Sequence, residues 1–171
     1  MDMDTIILSL LVDNTSGVLS RIAGLFSRRA YNIESLTVGV TTNPAISRMT
    51  IVSKGDDRVL HLIVEQLRKQ EDVRDIKVLE RGNSVVREEI LIKVRSDVTN
   101  RRDIIAIADI FRANIVDVQK DSLIVELTGG QSKLAALIDM LSGYEIAEIA
   151  RTGITGLSRG MGDVAFIDDE L

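Results

Sequence analysis

Residues 5–29 read TIILSLLV-DNTSG-VLSRIAGLFSRR and contain the clearest structural signals of the chain. The first eight residues form a short apolar run rich in β-branched side chains, which predicts a buried strand. The next five are typical of turns and helix caps. Apolar residues then recur at helical spacing as far as Phe26, so the stretch predicts a strand, a tight turn and an amphipathic helix.

Three further strands and one helix complete a unit. Apolar residues alternating with polar ones predict strands over 33–41 and 46–52, and a last strand is predicted over 73–79. The apolar residues of 59–67 recur at helical spacing. The order strand, helix, strand, strand, helix, strand is that of a ferredoxin-like βαββαβ unit.

The same order of elements returns after a short polar hinge at 81–84. We therefore expect an α+β protein with two ferredoxin-like βαββαβ units, residues 4–80 and 84–158. From residue 153 onward, glycines interrupt the pattern of strands and helices. We expect 159–171 to be an acidic, mobile tail that could become ordered on a partner.

Each predicted sheet leaves one face and both edges uncovered by its helices. Open edges favour pairing with a second sheet, and a unit of this size buries only a modest core. We therefore expect a homo-oligomer, in the form of a symmetric dimer.

Composition and charge exclude several classes of protein. The chain has no cysteine and one histidine, which argues against a zinc ribbon, an iron–sulfur cluster, a thiol nucleophile and a histidine-rich metal site. The net charge is −5, and residues 1–83 are balanced, so the basic face needed for nucleic acids is missing. The absence of a long apolar stretch and the acidic first residues predict a cytoplasmic protein without a membrane span.

The loop at Asn14–Gly17 is the best candidate for a ligand site. A helix start offers free N–H groups and a positive dipole, which suit a carboxylate or a phosphate. Gly17 permits close approach to the backbone, and the Asn14 side chain can both donate and accept. Asn32 and Ile33 open the following strand, so a small apolar amino acid would fit. An ordinary capped loop remains the alternative.

Other polar residues are interpreted as structural. His61 lies on the second predicted helix, and Arg28–Arg29 lies at a helix end where the dipole favours cations. The paired acids Glu88–Glu89 are interpreted as solvated charge. No arrangement of these residues supports catalysis.

The motifs together resemble those of a known family. NTSGVLSRIAGLFSRRAYNIESLTV over 14–38, SRMTI over 47–51, IFRANIVDV over 110–118 and ARTGITGLSRG over 150–160 are similar to the small, regulatory subunits of acetohydroxyacid synthase, also called acetolactate synthase. The resemblance covers nearly the whole chain in the same order. It implies an N-terminal ACT domain for effector binding and dimerisation, followed by an ACT-like domain.

The resemblance also implies a function without catalysis by this chain. Such subunits bind a catalytic large subunit that carries thiamine diphosphate, magnesium and FAD. They activate it and confer feedback inhibition by valine, and in some cases by leucine or isoleucine. The implied valine site lies between two ACT domains and is formed by Asn14, Gly17, Val18 and Leu19 of one chain with Asn32 and Ile33 of its neighbour.

Three other functions compete with this interpretation. A free-standing amino-acid sensor that acts on another enzyme would share the ACT fold. An acylphosphatase-like hydrolase would need an arginine in the first loop, where none precedes Arg21. An RNA-binding sheet would need stacking aromatic residues, which make up only 3% of the chain.

Overall fold

The computed structural model describes residues 4–161, which divide into two compact units. The first unit comprises residues 4–85 together with 154–161, and the second comprises Val86–Gly153. The first unit contains β1 (Asp4–Asp13), α1 (Val18–Arg28), β2 (Ile33–Val40), β3 (Ile46–Gly55), α2 (Asp57–Leu67) and β4 (Val73–Val78).

The four strands of the first unit form an antiparallel sheet in the order β2-β3-β1-β4. Alternate residues of β1 point to the helices, as the period of two in a strand requires. They pack on the apolar faces of α1 and α2, which sets the position of the α1 start. The fully or nearly fully buried core residues are Ile6, Leu8, Leu10, Val12, Val18, Ile22, Leu25, Phe26, Met49, Ile51, Ile63 and Leu67.

The second unit repeats the arrangement. Its elements are β5 (Ser84–Arg95, of which the unit contains Val86 onward), α3 (Arg101–Phe111), β6 (Asn114–Val118), β7 (Ser122–Gly129), α4 (Gln131–Leu141) and β8 (Ile146–Arg151). The strands follow one another as β6-β7-β5-β8, which is the same order as in the first unit. The predicted α+β class with two βαββαβ units is therefore confirmed.

Residues 154–161 belong to the first unit and contain a strand that the sequence pattern did not predict, β9 (Thr155–Ser158). Ile154 is 1% exposed. Its N–H donates to the Ser35 hydroxyl at 2.9 Å, and its carbonyl accepts from the Thr37 hydroxyl at 2.9 Å. These contacts attach Ile154 to β2 within the first unit, and the bounds of 84–158 for the second domain stay a prediction.

The predicted tail of 159–171 lies outside the described residues from 162 onward. All four helices among residues 4–161 are eleven residues long, and none of them has the length and apolarity to cross a membrane.

Candidate functional site

The start of α1 offers backbone donors to a ligand. Gly17 precedes the helix with φ +89°, a left-handed conformation that glycine adopts without strain, and no side chain caps the helix there. Within residues 4–161, the N–H groups of Leu19 and Ser20 have no hydrogen-bond acceptor. Unpaired donors and the positive end of the helix dipole together suit a carboxylate.

Arg21 lies beside this helix start and is held there by Asp72. The Arg21 Nε and Nη2 atoms donate to the two Asp72 oxygens at 2.6 and 2.8 Å. The side-chain hydrogen bond from Arg21 holds the pKa of the Asp72 carboxyl below its ordinary value. Sequence reasoning did not include this pair in the site, because the two residues are 51 positions apart and nothing local connects them.

Asn14 ties the loop to the turn between β2 and β3. Its Nδ2 donates to the Pro44 carbonyl at 2.8 Å, and its backbone N–H donates to the Ala45 carbonyl at 2.7 Å. The side-chain donor of Asn14, which the sequence analysis assigned to a ligand, therefore holds the loop in place instead. The Asn14 Oδ1 oxygen remains as an acceptor for an ammonium group.

Val18 and Leu19 play different parts at the helix start. The Val18 side chain is 3% exposed and belongs to the first core, so this residue faces a ligand only through its backbone. The Leu19 side chain is 46% exposed and is free to contact an apolar group.

Asn32 and Ile33 lie at the opposite end of the sheet from Asn14. Ile33 pairs with Ser53, which pairs with Ile6, seven residues along β1 from Asp13. At about 3.3 Å per residue, the row of Ile33 lies about 23 Å along the sheet from Asp13. One chain therefore does not bring Asn32 and Ile33 close to Asn14. The side-chain Nδ2 of Asn32 donates to Glu34 Oε1 at 2.7 Å, and Ile33 packs partly buried against the first core.

In the second unit, a carboxylate of the protein binds N–H groups in the loop that precedes α3. The Asp97 carboxylate accepts from the Thr99 N–H at 2.7 Å and from the Asn100 N–H at 3.3 Å. Hydrogen bonds from the Thr99 side chain and backbone hold the pKa of Asp97 below its ordinary value. An internal carboxylate therefore accepts from the loop before α3, whereas among residues 4–161 no carboxylate does so in the loop before α1.

The prediction that Glu88 is solvated charge is wrong. Its side chain is 5% exposed, and both of its oxygens accept from Arg151, at 2.8 and 2.7 Å. Glu88 is therefore a buried ion-pair partner rather than solvated charge, because the register of β5 and β8 brings Arg151 next to it. His61 is exposed on α2, which agrees with a structural interpretation.

Family models match both units. The model described as "AHAS small subunit-like ACT domain" matches residues 8–75, and the model described as "Small subunit of acetolactate synthase" matches residues 87–160. The fold and the open helix start thus define a regulatory protein of the ACT-domain class.

Similar proteins identify the family. A probable acetolactate synthase small subunit from Methanothermobacter thermautotrophicus is 48% identical over 94% of this chain and 96% of its own length. The acetolactate synthase small subunit from Mycolicibacterium smegmatis is 49% identical over 90% of each. The crystal structure of the Thermotoga maritima small subunit matches with a TM-score of 0.86 at 39% identity, covering 92% of this chain and 99% of that one. The chain belongs to the family of acetolactate synthase small subunits, and it is a regulatory rather than a catalytic subunit.

Proposed function

We propose that this chain forms a homodimer that binds valine at the α1 start, activates a catalytic large subunit of acetolactate synthase and makes that enzyme sensitive to valine. The large subunit would carry thiamine diphosphate, magnesium and FAD. The observation that carries the effector proposal is the pair of N–H groups at the start of α1, next to Gly17, that the described part of the chain leaves unpaired. Within residues 4–161 the N–H groups of Leu19 and Ser20 have no acceptor, whereas in the loop before α3 the Asp97 carboxylate already binds the N–H groups of Thr99 and Asn100.

The edge strand β2 supports the proposed dimer. It lies at the edge of the first sheet and exposes Val38 and Val40, the latter by 60%. Antiparallel pairing of two β2 strands about a twofold axis would place the start of one opposite the end of the other. Val40 lies in the row of Ser47 and Val12. The dimer would therefore carry Asn32 and Ile33 of the partner subunit to the end of the sheet that holds Asn14.

The chemistry of the assembled site fits a small zwitterion with an apolar side chain. The carboxylate of valine would accept from the N–H groups of Leu19 and Ser20. The ammonium group would donate to the Oδ1 oxygens of Asn14 and of Asn32 of the partner subunit. The isopropyl group would pack on the exposed Leu19 side chain.

Regulation would follow from the position of the ligand between two subunits. Valine at this interface stabilises the dimer geometry to which it binds more tightly. It shifts the activity of the assembled enzyme only by as much as its affinity differs between the active and the inhibited assembly. A coupling free energy of about 1–3 kcal/mol, typical of allosteric proteins, would change the affinity about 5–150-fold.

Acetolactate formation from pyruvate tests this function directly. The cognate large subunit is assayed alone, with this chain, and with this chain and millimolar valine, leucine or isoleucine. We expect the chain to raise the rate and valine to reverse the rise. A rise that valine, leucine and isoleucine leave unchanged would remove the effector proposal. No rise, with both proteins folded and the cofactors supplied, would favour a free-standing sensor that acts on another enzyme.

A further inference from the structure

One nitrogen of the Arg21 guanidinium is free beside the start of α1. The Nε and Nη2 atoms are both engaged by Asp72, so the bidentate pair uses one edge of the planar group. Nη1 has no acceptor within residues 4–161. A Cβ atom built on Gly17 would lie 2.9 Å from Nη1, which places this nitrogen directly next to the glycine.

We propose that Arg21 provides the cationic contact for the α-carboxylate of the amino-acid effector, and that Asp72 is the residue that positions it. This inference rests on the proposed function, since it adds a residue to the same site. The inference follows from the geometry of the Arg21–Asp72 pair. A guanidinium that is fixed along one edge presents its remaining nitrogen in a defined direction.

The placement of Arg21 would also orient the ligand. A fixed cation beside Gly17 attracts the carboxylate and repels the ammonium group of the same amino acid. The ammonium group is thereby directed away from Arg21 and towards the amide oxygen of Asn14. Gly17 serves this arrangement as well, because a side chain there would displace the guanidinium.

Calorimetric titration of the full chain with valine, and separately with valinamide, tests the inference. Valinamide keeps the ammonium and isopropyl groups but lacks the carboxylate. We expect Arg21→Gln to weaken valine binding by about tenfold or more, as for a lost hydrogen bond to a charged group, and to change valinamide binding little. Asp72→Asn should weaken valine binding in the same selective way, because the guanidinium is no longer clamped.

A matched control is available on the same helix. The Arg28 side chain lies next to Gly24 in the same way as the Arg21 side chain lies next to Gly17. Its Nη1 atom is 3.1 Å from a Cβ atom built on Gly24. Arg28→Gln removes the same charge about 10 Å further along the helix and should leave valine binding unchanged. Circular dichroism and urea denaturation verify that each variant is folded.

A charge-reversed pair separates binding from a structural role. Arg21→Asp combined with Asp72→Arg restores an ion pair but moves the cation away from Gly17, so valine binding should stay weak. Normal valine binding by folded Arg21→Gln, or full rescue by the reversed pair, would overturn the inference while leaving the proposed function intact. A wild-type chain that binds none of valine, leucine and isoleucine would overturn the proposed function itself.

Discussion

Replacing Gly17 with aspartate would give the first loop an internal carboxylate like the one already present at Asp97. The Gly17 backbone has φ +89°, so the new side chain carries a strain of about 1–2 kcal/mol, less for aspartate than for most residues. Its Cβ would lie 2.9 Å from the end of the flexible Arg21 side chain, which can move. We therefore expect the variant to fold, with its free energy of unfolding lowered by about 1 kcal/mol.

The effect of Gly17→Asp on valine binding should be much larger. Two carboxylates about 4 Å apart repel each other by about 4 kcal/mol at an effective dielectric constant of 20. Salt and the neighbouring guanidinium screen part of this repulsion, so we expect a loss of affinity of at least about a hundredfold. Calorimetry with valine measures the loss, and acetolactate formation with the cognate large subunit should become resistant to valine.

Two variants control for causes other than charge. Gly17→Ala introduces the strain without the carboxylate, so it should weaken binding less than Gly17→Asp does. Gly143→Asp introduces the same charge where a Cβ has no neighbour within 4 Å, and it should bind valine normally. Undiminished valine binding by folded Gly17→Asp would refute the assignment of the α1 start as the effector site.

Three other substitutions test the fold and the proposed dimer. Ile154→Ala should lower the free energy of unfolding by about 2–5 kcal/mol in urea denaturation, whereas Leu157→Ala, 57% exposed, should change it by about 0.5 kcal/mol or less. Hydrogen bonds from Thr99 lower the folded-state pKa of Asp97, so their stabilisation is present above the unfolded pKa of about 3.9 and is lost as pH falls through the lower folded value. The stability difference between wild type and Asp97→Ala, measured by urea denaturation at several pH values, should therefore shrink below about pH 4, and a constant difference would contradict this. Val40→Glu should shift the chain from dimer to monomer in sedimentation experiments, since like charges would face each other near the paired β2 edges; an unchanged dimer would exclude pairing through this edge.

Most of the fold could be predicted from the sequence, because its signals are local. The apolar run of 5–12 and the helical spacing of 18–26 follow the periods of strand and helix, and both elements are found close to the predicted bounds. β9 could not be predicted in this way. Its four residues carry little periodicity, and the burial of Ile154 depends on contacts with residues more than a hundred positions away.

The candidate site was predictable only in part. The loop Asn14–Gly17 gives a local signal, since a turn followed by a helix offers free N–H groups. The anchoring of Asn14 on the Pro44 carbonyl and the clamp on Arg21 were not predictable, because both partners come from distant parts of the chain.

The two βαββαβ units, the family and the loop in which an effector would bind could be predicted without coordinates, because periodicity, turn chemistry and motif order are all properties of neighbouring residues. The groups that face this loop, by contrast, were known only from the folded arrangement. The fold placed Arg21 on Asp72, buried Glu88 against Arg151, and set the row of Ile33 about 23 Å along the sheet from Asp13. The physical reason is that sheet register and helix packing fix such distances, and both depend on contacts between residues far apart in the chain.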